Sequence, residues 1–219
     1  MDVFDIIGPI MIGPSSSHTA GAARIGKYAL NILGAKPVRA DIYFSGSFAK
    51  TYKGQGTDKA IVAGILGMDT DDPGIKYSFE TAKYRGLEFY FHECEIENSH
   101  PNTANIVLIG DSGNKVEVQG ASVGGGNIVI TKINGTNVEI TGKFTTLIVL
   151  HQNIPGMISD VTSVLAKYGL NIGRFDLKRS PKGGKGVMII ELDSEVSEHV
   201  NEKIKAMDNV IDSTLLKAI

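Results

Sequence analysis

The chain has 219 residues, 42% hydrophobic and 21% charged, with a formal net charge of −2, the balance of a globular protein with one large domain or two ordinary ones. That charge offers no basic footprint for nucleic acid or an anionic membrane, and no apolar run approaches the roughly 20 residues that span a bilayer. Cys94 is the only cysteine, which excludes an intrachain disulfide, suits a reducing cytoplasm, and falls short of the about three or four thiolates that hold an iron–sulfur cluster.

The opening "MDVFDIIGPIMIG" carries Asp2 and Asp5 where a secretory signal carries positive charge, so a cytoplasmic protein is expected. Residues 13–30, "GPSSSHTAGAARIGKYAL", lead into a helix predicted over about 19–33 and ended by Gly34. One of Ser15, Ser16 and Ser17 suffices as N-cap. A cap leaves two hydroxyls, His18, Thr19 and the small residues Ala20, Gly21, Ala22 and Ala23 without a reason. Free N–H groups at a helix start attract carboxylate or phosphate, and small residues let a ligand approach, so this stretch reads as an anion-binding active-site segment.

A strand is predicted over about 38–45. Next comes "GSFAKTYKGQGTDKA", a glycine-rich turn that places Lys53 and Gln55 ahead of Thr57 and Asp58, the caps of a helix over about 57–67 closed by Gly67. It lacks the lysine–serine pair of a nucleotide P-loop. Strands follow in "GLEFYFHECEI" and "TANIVLIG", where His92 reads as structural. Between them "ENSHPNT" sets His100, Asn102 and Thr103 around Pro101. "GDSGN" and "INGTN" are hairpin signals, and Gly124, Gly125 and Gly126 in "ASVGGGNI" point to close backbone contact with a ligand or partner. Two helices beside mostly antiparallel strands make residues 1–143 an α+β domain.

"TGKFT", residues 141–145, is a short polar boundary. Residues 144–219 then read strand, helix, strand, strand, helix, strand, the ferredoxin-like βαββαβ pattern. Met157, Ile158, Val161, Val164 and Leu165 supply the apolar stripe of its first helix. "HQNIPG" joins the first strand to that helix, and Asn171 opens the next strand. Asn153 and Asn171 are expected close together, where two amides hold the charged groups of an amino acid; the alternative is loop capping by both. His199 is expected on a solvated face. No HExxH, paired cysteines or His/Asp ligand spacing marks a metal site.

Taken together, "GPSSSHTAGAARIG", "GSFAKTYKGQGTDKAIVAGILG", "NSHPNT" and "ASVGGGNI" resemble the successive motifs of the iron–sulfur-dependent L-serine dehydratases, in the separate beta chain of the two-chain bacterial form. Residues from about 146 onward resemble an ACT domain, and the N-terminal domain is also similar to the allosteric-substrate-binding-like intervening domain of some phosphoglycerate dehydrogenases. The resemblance implies a cytoplasmic lyase of amino-acid catabolism and gluconeogenesis that converts L-serine to pyruvate and ammonia. It implies a partner alpha chain carrying a [4Fe–4S] cluster, whose open iron takes the poor hydroxide leaving group, and self-association through the ACT domain. It gives Ser15, Ser16, Ser17 and Thr19 the grip on substrate and His18 a part in proton transfer or orientation. Lys53, Gln55, Thr57, Asp58, His100 and Asn102 become substrate-binding residues, and His151, Asn153, Gly156 and Asn171 effector-binding ones. Gln55 stands where the family often has histidine; a glutamine is no base at neutral pH, so the general base stays unassigned. The runner-up is a non-catalytic amino-acid-sensing regulatory subunit.

Overall fold

The computed structural model describes residues 10–179 and 184–218, so Asp2 and Asp5 lie outside the described residues. The chain divides into two compact units, 1–141 and 142–219.

The first unit opens with a single π-helical turn, Ser16–Ala20, that runs directly into α1 (Gly21–Leu33). The helical path therefore begins three residues before the predicted start, and Gly34 ends it at φ 63. β1 (Pro37–Ser45) is followed by α2 (Gly46–Gln55) and α3 (Thr57–Ile65). α2 occupies the stretch expected as a glycine-rich turn. Its glycines punctuate: Gly46 turns the chain out of β1 at φ 60, and Gly56 ends the helix at φ 69. Between them Phe48 and Tyr52, four residues apart and so on one helical face, pack their rings at 6.0 and 5.0 Å from Phe44 of β1. A 3₁₀ turn (Pro73–Tyr77) and α4 (Ser78–Arg85) follow, also unforeseen. α4 is a short polar helix whose Phe79 ring sits 5.0 Å from that of Phe89 in β2 (Glu88–Glu93).

β3 (Asn102–Gly110), β4 (Lys115–Gly124), β5 (Asn127–Ile133) and β6 (Thr136–Ile140) complete a sheet of order β2-β1-β3-β4-β5-β6. β1 pairs parallel to β2 and antiparallel to β3; the remaining pairs are antiparallel. Strand alternation sends Ala40, Ile42, Phe44, Ala104, Ile106 and Leu108 into the core, and α1 lies across β3, β4 and β5. α1 and α3 meet backbone to backbone: a Cβ on Gly26 would overlap the Ile61 carbonyl, and one on Gly64 would overlap that of Ala23. The "INGTN" hairpin turns through Asn134 and Gly135, both at positive φ.

The second unit comprises β7 (Thr145–Gln152), α5 (Met157–Lys167), β8 (Ile172–Arg179), β9 (Lys185–Leu192), α6 (Glu198–Lys205) and β10 (Val210–Leu216). Its sheet order is β10-β7-β9-β8, with every pair antiparallel. Met157, Val161 and Leu165 join Leu147, Val149, Met188, Ile190 and Ile204 in its core. Ile158 does not: it is 44% exposed. His199 is exposed, edge-on to the Tyr168 ring at 6.2 Å. The strand register also corrects the expected pairing of amides. Ile172 and Thr145 both stand opposite Leu192, whereas Arg179 and His151 both stand opposite Gly186. Asn171 therefore lies at the start of the sheet and Asn153 at its far end, separated by about seven residues of strand, roughly 20 Å. The Asn171 amide donates to Asp193 instead.

Candidate functional site

The π-helical turn builds the centre of the first site. Ser15 is its N-cap, in extended conformation, and the Ser15 Oγ accepts the His18 backbone N–H at 3.2 Å. The capping serine is thus identified, and the neighbouring hydroxyl serves the imidazole. Ser17 Oγ lies 3.1 Å from His18 Nδ1 and 3.2 Å from Ser15 Oγ, which itself stands 3.4 Å from Nδ1. Ser16, half-buried, heads the turn, and its carbonyl accepts the Gly21 N–H. Thr19 is buried and donates its hydroxyl to the Gln55 carbonyl at 3.4 Å. On the far side of the imidazole, Nε2 is 3.3 Å from Ser47 Oγ, and the ring packs edge-on against Phe48 at 5.4 Å. Partial burial holds the His18 pKa below its ordinary 6.5, so the ring is neutral at neutral pH.

The four motifs singled out along the chain converge here. Ser47, the second residue of α2, donates its backbone N–H to the Pro101 carbonyl at 2.6 Å, and Gly46 leaves no room for a side chain against Pro101. Gly21 is pressed against Ser122, where any Cβ would overlap Ser122 Oγ. Arg24 Nη1 donates to the Gly126 carbonyl at 2.8 Å, which fastens the triple-glycine turn between β4 and β5 to α1. Burial draws the Arg24 pKa downward. Ser122 Oγ and Thr57 Oγ1 are fully buried without a hydrogen-bond partner among the described residues, each at a typical cost of about 1–3 kcal/mol.

The other expected residues are placed less centrally. Gln55 reaches the site through its main chain. Lys53 is exposed, with its ammonium 5.5 Å from the Tyr52 ring centre. Asp58 accepts the Lys59 N–H at 2.8 Å; burial raises its pKa, and Lys59 and Lys53 pull it back. His100 is exposed, and its Nδ1 accepts the Asn102 N–H at 3.1 Å. His100 lines a separate cleft with Lys50 and Cys94. His92 is structural in a specific sense: it sits 3.2 Å from Asp41 and stacks on Tyr43 at 4.5 Å. Three residues at the centre were not singled out in the sequence: Ser47, Arg24 and Ser122. The available signal for Ser47 was its place, the first hydroxyl after the glycine that ends β1.

Two family models match the chain: the serine dehydratase beta chain over residues 2–85 and the ACT domain over residues 145–209. A probable L-serine dehydratase beta chain of Bacillus subtilis is 43% identical over 212 residues, covering 97% of this chain and 96% of that one. The chain belongs to the L-serine dehydratase beta-chain family. The beta chain of Peptoniphilus asaccharolyticus L-serine dehydratase is 38% identical, over 94% of this chain and 93% of its own length. A D-3-phosphoglycerate dehydrogenase of Methanocaldococcus jannaschii is 26% identical over 94% of this chain but only 38% of itself.

For a member of the serine dehydratase beta-chain family, the ligand set for an iron–sulfur cluster is poor. Among the described residues no three of His, Cys, Asp and Glu stand where they would hold a metal ion. The one thiol, Cys94, is pushed by burial toward its protonated form. The described side chains do not fit a cluster; the chemistry of the first site is that of hydroxyls, an imidazole and a helix start.

In the ACT unit of this beta chain, His151, Asn153, Ile154, Pro155 and Gly156 form one wall of a hollow whose other side carries Leu177 and Arg179. His151 is 2% exposed; its Nδ1 meets the Gln152 carbonyl at 2.7 Å, and its Nε2 has no partner among the described residues. Gly156 turns into α5 at φ 95. Asn171 is outside this hollow.

Proposed function

We propose that this chain is the beta subunit of a cytoplasmic L-serine dehydratase, an L-serine ammonia-lyase acting with an alpha chain that carries the [4Fe–4S] cluster. The observation that carries this reading is the placement of His18 between two sets of serine hydroxyls at the start of a helix where four separate segments meet. Dehydration of serine requires the substrate carboxylate to be held, the weakly acidic α-proton removed and hydroxide expelled. The helix start and the hydroxyls of Ser15, Ser16 and Ser17 suit the carboxylate, whereas Thr19, whose hydroxyl is donated to the Gln55 carbonyl, supports the turn. A neutral imidazole beside them accepts or orients a proton. Of the other expected substrate-binding residues, Gln55 meets the site through its carbonyl and Thr57 lies buried beside it. Lys53, Asp58, His100 and Asn102 would join only as the substrate and the alpha chain bring them together. A family of beta chains implies an alpha partner, and a single thiol leaves the cluster to that partner.

Purified together anaerobically, the two chains should form pyruvate from L-serine, and the beta chain alone should not. His18→Ala or Ser16→Ala should reduce turnover at least ~10²-fold, while the Ser15 cap stays in place and a lost side-chain contact costs stability only ~1 kcal/mol. Full activity in both variants, or a stoichiometric cluster in the beta chain alone, overturns the assignment.

The second reading, a regulatory sensor, is favoured by one observation: relatives that are phosphoglycerate dehydrogenases share nearly this whole chain as a minor part of their own. The two roles are compatible through the ACT unit. β8 is an edge strand, and antiparallel pairing of two β8 edges would carry Asn171 of one copy to the Arg179 end of the other, beside His151, Asn153 and Gly156. An amino-acid effector, L-serine or a close relative, would then bind only in the paired form.

A further inference from the structure

We propose that Ser47 is a positioning residue of the His18 site: its hydroxyl holds Nε2 and thereby sets the tilt of the imidazole and the stability of its proton. This rests on His18 acting in the reaction.

The geometry is specific on both sides of the hydroxyl. Nδ1 already faces Ser17 and Ser15, at 3.1 and 3.4 Å. Without Ser47 the ring would be anchored at one nitrogen only and could swing about that contact. Ser47 Oγ, 3.3 Å from Nε2, supplies the second anchor. Ser47 is itself held: its N–H is bonded to the Pro101 carbonyl at 2.6 Å, and its own carbonyl accepts the Thr51 hydroxyl at 2.7 Å. Gly46, at φ 60, lets the backbone approach Pro101 closely enough for that first bond. The anchor is therefore a rigid one, built from the "NSHP" segment through the start of α2 to the imidazole.

A hydroxyl serves either state of the ring, donating to a bare Nε2 and accepting from Nε2–H. The bond to the imidazolium is charge-assisted and roughly twice as strong. Burial lowers the His18 pKa, and Ser47 opposes that fall. Removing the hydroxyl disfavours the charged ring and moves the pKa further down.

The test has two arms. Nitrogen-15 NMR of the full beta chain, with the His18 signals assigned by their loss in His18→Gln, reads the ring directly. In Ser47→Ala the His18 pKa should fall and its two nitrogen shifts should change, while Ser47→Thr restores both toward wild type. In the enzyme reconstituted with its alpha chain, Ser47→Ala should lower kcat roughly tenfold with KM changed less than about twofold. The acid limb of its kcat/KM profile should move to lower pH. Should Ser47→Ala fail to fold, Ser47→Cys gives the same readout with a weak hydrogen-bonding group of similar size. An unchanged His18 titration in these variants overturns the inference. His18 turning out dispensable for turnover would overturn the catalytic reading instead, and the NMR arm stands apart from it.

Discussion

At the scale of single residues, the pH behaviour of His18 follows from burial. Its folded pKa lies below 6.5, so between the two values the unfolded chain binds more protons than the folded one. Stability from this group rises with pH through that window and is fully present above 6.5. Turnover that needs the neutral ring has the same sense: it should fall on acidification with an apparent pKa under 6.5, and His18→Gln should remove that limb from the pH profile. Asp41 adds the acid-side counterpart. The hydrogen bond from Arg39, then that from His92, holds its carboxyl below the ordinary range, so its contribution is lost only as pH falls through that lowered value. The serine cluster was legible in the sequence because a cap uses one hydroxyl and three were present. Ser47 was not, since nothing in a one-dimensional pattern says that residue 47 turns toward residue 18.

At the scale of elements, two glycines with opposite surroundings make opposite predictions. Gly64 of α3 sits on the Ala23 carbonyl of α1 and has no room for a methyl group. Gly64→Ala should therefore destabilise by about 1–3 kcal/mol or more, because backbone cannot move aside as a side chain can. A methyl group on Gly54 of α2 would meet nothing within 4 Å. Gly54→Ala should stabilise by about 0.5–1 kcal/mol. Denaturant melts of the two variants check both signs. The same elements show where sequence patterns run out. α5 announced itself by apolar periodicity, α1 by its serine cap and closing Gly34, and the hairpins by Asn-Gly and Gly-rich turns. α2 hid behind its glycines, because Gly46 and Gly56 mark its two ends while Phe48 and Tyr52, four residues apart, carry its buried face. α4 has too little apolar surface to show a stripe at all.

At the scale of the whole molecule, the second unit makes the prediction that involves a second copy. If two β8 edges pair antiparallel, L-serine or a related amino acid should shift the full-length chain toward a dimer. Saturation about a hundredfold over the dissociation constant adds ~2.7 kcal/mol to the paired form. Asn153→Ala should abolish that shift in sedimentation while leaving the fold intact. A ligand-independent mass across the common amino acids would make this unit a structural connector. The βαββαβ order was readable from alternating patterns. The distance between Asn153 and Asn171 was not, because strand direction and register decide which end of a sheet a residue occupies.

The first site also has a timing. Its pairings join residue 18 to 47 and residue 24 to 126, so they close loops of very different length. The near contacts are available early in synthesis, whereas the triple-glycine turn arrives only after most of the sheet has been made. Synthesis proceeds at about 5–20 residues per second. A nascent chain therefore passes several seconds with both partners of the residue 18–47 pairing made and the Pro101 anchor and triple-glycine turn still to come. The site is whole only after Gly126 has emerged, so whatever binds the finished site can do so only once most of the first unit has been made.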